Sequence, residues 1–284
     1  MKQILYILLA IGFYSCETDV TSDITLKGST PRLVVNGGIE RNTITPLNEQ
    51  KIELSTSVGF LDKEEPAPVT NASVIVNDGT NDFEFLHTSN GIYTNDRIEA
   101  KLNTKYSISI QWNNETYTGE DFLNEVPDFD RVYSVFEEET LFTDQGYFLN
   151  FDATDPVNVA NYYYYRVFKN DEFTIVPDPG NNVTIIEKDQ FFDGKSRVGV
   201  NPNEEVSFEI GDKAGVQQLA ISENYYDYLV ELFTQTGSQG FSLIGNPPPA
   251  SIRSNLVNIN TPKNRALGYF YATDVKEASL VISE

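Results

Sequence analysis

One histidine, His87, and one cysteine, Cys16, bound the chemistry available to this chain. A Ser-His-Asp site would have to be built on His87 alone. That residue stands in Phe85-Leu86-His87-Thr88, at an expected hairpin end, and reads as a strand-edge side chain. A histidine-rich catalytic zinc site needs more than one histidine, and thiolate zinc needs more than one cysteine. The one Gly-Lys-Ser, Gly194-Lys195-Ser196, does not end a glycine-rich loop, and no dinucleotide fingerprint is present. Carboxylates remain: 42 acidic residues offer hard oxygen ligands and acid–base pairs. No spacing singles out a catalytic pair. Glu137-Glu138-Glu139 reads as a solvated strand end. For calcium, Asp78-Gly79-Thr80-Asn81-Asp82 is loop-like but lacks the full spacing of a helix–loop–helix site. Asp78 and Asp82 are its candidate ligands. Asp152 and Asp155, next to Pro156, form a second candidate. The expectation is no cofactor beyond a structural calcium.

Cys16 carries a different chemistry. Lys2 is followed by an apolar run, and Ser15 stands directly before the cysteine. This is the layout of a secretory signal with a small residue at the cut. The run is too short to span a bilayer as a helix. A cysteine directly after the cleavage point is where bacterial lipoproteins are acylated. Residues 1–15 therefore read as a lipoprotein signal peptide, and Cys16 as the lipidated first residue of the mature chain. Several acyl chains make a stable anchor, at about 0.8 kcal/mol per buried methylene. Residues 16–30 read as a flexible tether. Glu17 and Asp19 are similar to an acidic surface-export signal of some Bacteroidota lipoproteins.

Composition narrows the partners. A net charge of -22 opposes nucleic-acid binding, which needs clustered Lys and Arg. It also opposes lying flat on an anionic membrane surface. With 40 % hydrophobic residues the chain can bury a core. Its 16 tyrosines and 18 phenylalanines favour strands.

The elements that would position any site are strands. Lys51 to Val58 alternates polar and apolar residues, and so does Thr104 to Trp112. Asp78-Gly79, Asn90-Gly91 and Asn113-Asn114 are turn signals. About seven short strands fall between residues 31 and 126, which suggests an immunoglobulin-like β-sandwich. After Val126-Pro127 strands are expected over 130–138, 146–153, 161–169, 205–210, 267–273 and 278–282. Ile221 to Phe233 has helical spacing, with Ser222 as its N-cap and Gly237 as its stop. The fold class is mainly all-β: a sandwich over 31–126, then a β-rich domain over 127–284 with one amphipathic helix. Alternation turns two of Tyr162, Tyr163, Tyr164 and Tyr165 outward. Asn246-Pro247-Pro248-Pro249, with Ser254-Asn255 beyond it, reads as a stiff exposed loop. Tyr163, Tyr165, Asn246, Pro248 and Asn255 are the expected partner- or ligand-contacting residues.

The order of these landmarks carries a resemblance. Cys16, Arg32-Leu33-Val34-Val35-Asn36-Gly37, Ala72 to Gly79, Tyr162 to Tyr165, Gly245-Asn246-Pro247, Ser254-Asn255 and Leu267-Gly268-Tyr269-Phe270 together resemble Bacteroidota lipoproteins of the domain-of-unknown-function 4249 family. The resemblance covers nearly the whole mature chain. Members are often encoded near outer-membrane TonB-dependent receptors. It implies a non-enzymatic accessory or binding lipoprotein of a nutrient-uptake system, anchored in the outer membrane at the cell surface, with a β-barrel receptor as partner. It supplies no catalytic residues. A surface adhesin and a carboxylate-based hydrolase stay open as alternatives.

Overall fold

The computed structural model describes residues 30–47, 49–59, 64–139, 145–174, 185–237 and 252–283. Cys16, Asn246 and Pro248 lie outside them. The strands are β1 Leu33–Asn42, β2 Gln50–Thr56, β3 Ser73–Asn77, β4 Asp82–Ser89, β5 Ile92–Asn95, β6 Thr104–Trp112, β7 Glu115–Leu123 and β8 Phe129–Glu137. They continue as β9 Gly146–Thr154, β10 Tyr162–Lys169, β11 Glu172–Thr174, β12 Ile186–Lys188, β13 Ser196–Val200, β14 Lys213–Ala220, β15 Val257–Asn258 and β16 Leu267–Val281. Among the described residues there is one α-helix, α1, spanning Glu223–Gly237. The mainly all-β class is therefore observed. No helix among the described residues is long and apolar enough to cross a membrane.

The first seven strands fold by their alternation. β6 and β7 meet in register from Thr104↔Leu123 to Trp112↔Glu115. Asn113 and Asn114 close that hairpin with φ of 50° and 61°. Positive φ at both central residues matches the right-handed twist of the strands. Val74, Val76, Ile108 and Ile110 from one sheet pack against Leu33, Val35, Ile52 and Leu54 from the other. β4 joins the two sheets. Val74↔Phe85 pairs its first half with β3, and Leu86↔Thr94 pairs its second half with β5.

The sheet does not stop at residue 126. Strand order runs β11-β10-β14-β16-β1-β2-β5-β4-β3-β6-β7-β15. β16 lies parallel to β1, from Val34↔Leu267 to Asn42↔Val275. A strand from the expected second unit thus completes the first. Gly268 permits the approach: its φ is +81°, and a Cβ there would run into the Val35 carbonyl oxygen.

β10, β14 and β16 are covered on both faces. On one side α1 buries Tyr225, Leu229 and Phe233 against Tyr164, Leu219, Tyr269 and Val275. Ser222 caps the helix, its Oγ accepting the Tyr225 N–H at 3.1 Å. On the other side lies the three-stranded sheet β13-β9-β8. It packs Phe151 and Ala153 against Tyr163 and Tyr165. Burial on two faces removes the outward tyrosines that alternation alone predicts. Two further expectations change. Residues 205–210 make only an isolated bridge, Tyr147↔Phe208, and the two closing strands are one continuous β16.

Candidate functional site

α1, β10, β11, β16 and β1 enclose a cleft of about 450 Å³. Phe168 and Phe173 form one wall, with ring centroids 5.6 Å apart. Tyr228, Leu229 and Leu232 of α1 form the other. The floor is Tyr164, Arg166, Tyr269 and Tyr271. Tyr225 stacks on Tyr271 at 5.1 Å and 9°, and on Tyr269 at 4.7 Å. Parallel strands make this floor, because β1 brings Glu40 beneath the side chains of β10 and β16. Arg166 Nη2 donates to Glu40 Oε1 at 2.8 Å, and the Tyr271 hydroxyl donates to the same oxygen at 2.8 Å.

The electrostatics follow from burial. Desolvation pushes the Glu40 carboxyl upward, but the Arg166 charge and the two hydrogen bonds outweigh it and hold the group below the usual range. Burial raises the Tyr225 and Tyr271 phenols, so both stay as neutral hydroxyls. The cleft offers ring faces, hydroxyls and an internally neutralised ion pair. Such a surface holds an amphipathic ligand by stacking and hydrogen bonds.

The residues singled out from sequence lie elsewhere. Tyr163 and Tyr165 are 0 % and 2 % exposed, so neither presents a surface contact. Tyr163 donates to Asp155 Oδ1 at 2.6 Å, and Tyr165 donates to Glu187 Oε2 at 2.8 Å. Asn255 is a clamp between strands. Its Nδ2 donates to the Glu120 and Phe270 carbonyls at 2.9 and 2.7 Å, and its Oδ1 accepts the Phe270 N–H at 3.1 Å. Asp78 organises its own turn, accepting the N–H groups of Thr80 and Asn81 at 2.9 and 2.7 Å. The Asn81 bond is the main reason its carboxyl sits below the usual range. Lys101 supplies its counter-charge at 3.4 Å. Asp82 accepts from Asn77 Nδ2 at 2.7 Å. Asp152 accepts from Tyr133 and Gly199. His87 Nε2 accepts the Gly91 N–H at 3.4 Å and the ring meets Tyr93 edge-on. Glu137, Glu138 and Glu139 are exposed. Among the described residues the acidic side chains that converge are Asp155, Asp189 and Asp193.

Sequence reasoning passed over Arg166, Glu40 and Tyr271. A lone arginine in the aromatic run of β10 was the available signal. A cation in a strand that is otherwise apolar needs a buried partner. That partner is far away in sequence, and only the β1–β16 pairing brings it near.

No curated protein matches the chain. A family model described as domain of unknown function (DUF4249) matches residues 17–279. The matched span contains every residue that lines the cleft, and the chain belongs to the DUF4249 family.

Proposed function

We propose that this protein is an outer-membrane lipoprotein, anchored through Cys16 at the cell surface, that serves as a non-enzymatic binding accessory of a TonB-dependent nutrient-uptake system. The observation that carries the binding reading is the tyrosine-floored cleft between α1 and the large sheet. Its ring faces and neutralised ion pair suit holding a ligand. The anchor rests on the apolar leader and the cysteine behind Ser15. The receptor partnership rests on the family resemblance.

The test is purification from the outer membrane in mild detergent, by a tag placed after Glu284. A stoichiometric β-barrel protein in the eluate is the expected result. A tagged protein that elutes alone overturns the accessory role.

A further inference from the structure

β10 and β12 pair as Tyr162↔Lys188 and Tyr163↔Glu187. The ladder extends one step beyond its named strands, because the Asn161 carbonyl accepts the Asp189 N–H at 3.1 Å. Residues directly opposite in an antiparallel ladder project from the same face, with Cβ atoms roughly 5 Å apart. Asn161 therefore shares its face with Asp189. Alternation along β10 puts Tyr163 on that face too. The Tyr163 hydroxyl ties Asp155 to it at 2.6 Å. Asp193 arrives from the turn after β12. The carboxylate oxygens of Asp155, Asp189 and Asp193 come within 4.8 Å of one another.

Two further facts single this group out. Asn161 is 6 % exposed, its N–H lies against the Asp189 carboxylate at 2.8 Å from Oδ2, and its side-chain Oδ1 has no hydrogen-bond partner. A buried amide oxygen left without a donor costs about 1–3 kcal/mol. In addition, Asp155 and Asp189 are 2 % and 8 % exposed, and no Lys or Arg among the described residues pairs with them within 4.0 Å. The nearby Arg197 is ion-paired with Glu187 through Nη1 at 2.6 Å, its Nε and Nη2 have no hydrogen-bond partner, and its charge reaches Asp155 only through space. Two buried carboxylates side by side with no directly ion-paired cation are costly. The existing donors leave room, since each carboxylate oxygen can accept more than once. Asp155 Oδ2 takes the Gly194 N–H, Asp189 Oδ2 the Asn161 N–H and Asp193 Oδ1 the Asn158 N–H.

We infer that Asp155, Asp189, Asp193 and Asn161 Oδ1 form a calcium site. The donors are all hard oxygens, three of them anionic, which selects against zinc and copper. Calcium–oxygen bonds of about 2.3–2.6 Å put opposite ligands roughly 5 Å apart, which matches the spread of these oxygens. Magnesium demands near-ideal octahedral geometry and gives up its waters reluctantly, whereas calcium accepts irregular oxygen sets of carboxylates and an amide. Waters complete the coordination. The ion would tie the end of β9 to the start of β10 and the turn after β12, joining the small sheet to the large one. This inference stands apart from the proposed transport role.

Thermal unfolding of the full chain after EDTA treatment tests it, with added CaCl2 or MgCl2. Calcium should raise the melting temperature progressively with concentration, and magnesium should do so far less. Terbium should give luminescence sensitised by Tyr163, which is bonded directly to a ligand. Asp193→Asn removes an exposed ligand and leaves the core intact. It should weaken calcium binding at least tenfold, whereas Asp78→Asn should not change it. No calcium-dependent shift and no terbium signal at millimolar ion would overturn the site. So would a calcium response that persists unchanged in Asp193→Asn, or an equal response to magnesium.

Discussion

Arg166 and Glu40 stand 126 positions apart in sequence and are joined by a 2.8 Å hydrogen-bonded ion pair under the aromatic cleft. Each side chain is only 17 % exposed. The pair fixes the relation between β10 and β1, two strands with β14 and β16 between them. Removing one partner leaves the other charge buried and unpaired. Arg166→Ala should cost about 3–5 kcal/mol in urea unfolding. The double change Arg166→Met with Glu40→Gln should cost less than the sum of the two single changes.

Gly268 gives a second test. Gly268→Ala forces a side chain onto a φ of +81° and into the Val35 carbonyl, so the β1–β16 ladder must separate. Gly79 has a similar φ of +89° with nothing near its Cβ position. Gly79→Ala should cost about 1 kcal/mol from backbone strain alone. Gly268→Ala should cost several times that, or yield no folded protein. Equal midpoints in denaturant would contradict the close approach.

Asp121 sets a pH dependence. Burial pushes its carboxyl up to about 6, against hydrogen bonds from the Ser222 hydroxyl and the Ala272 and Phe122 N–H groups. The folded state thus holds a proton that the unfolded chain releases near pH 4. Its contribution, about 3 kcal/mol, is fully present below pH 4 and is lost as pH rises to 6. Asp121→Asn should flatten this part of the stability–pH curve and raise the melting temperature at pH 8. An unchanged slope between pH 4 and 6 would refute the assignment.

Cys16 makes the membrane prediction. Palmitate labelling in the native host should mark the protein, and Cys16→Ser should abolish the label and release the chain from the membrane fraction. Retention of the variant in washed membranes would show that the anchor lies elsewhere.

Local structure was readable wherever one face was wet. The alternation of Thr104 to Trp112, the Asn113-Asn114 turn and the Ser222 cap all report short-range physics, and each appears in the fold. β14 is hard to read from sequence because Lys213-Ala214-Gly215-Val216-Gln217-Gln218-Leu219-Ala220 has no aromatic residue and a single β-branched one, Val216. It is a strand because β10 and β16 flank it on either side. Tyr163 and Tyr165 were misplaced for a related reason. Alternation says that two faces differ, but not what covers each of them. The acidic group failed to stand out because Asp155 is 34 positions from Asp189, and a ladder between β10 and β12 is what brings them together. From the sequence alone, Asp155 reads as the companion of Asp152, three positions away.

The β1–β16 pairing also sets a clock. Arg41 and its partner Asp274 are separated by 233 positions. An exported chain emerges unfolded with its N-terminus first, so β1 must wait for nearly the whole chain before β16 can reach it. Until then Leu33, Val34 and Val35 offer an open, sticky strand edge to any neighbour. Closing so distant a contact is slow, and the half-made chain is the aggregation-prone species. Chaperone demand during export should therefore be greatest just before the closing strand emerges.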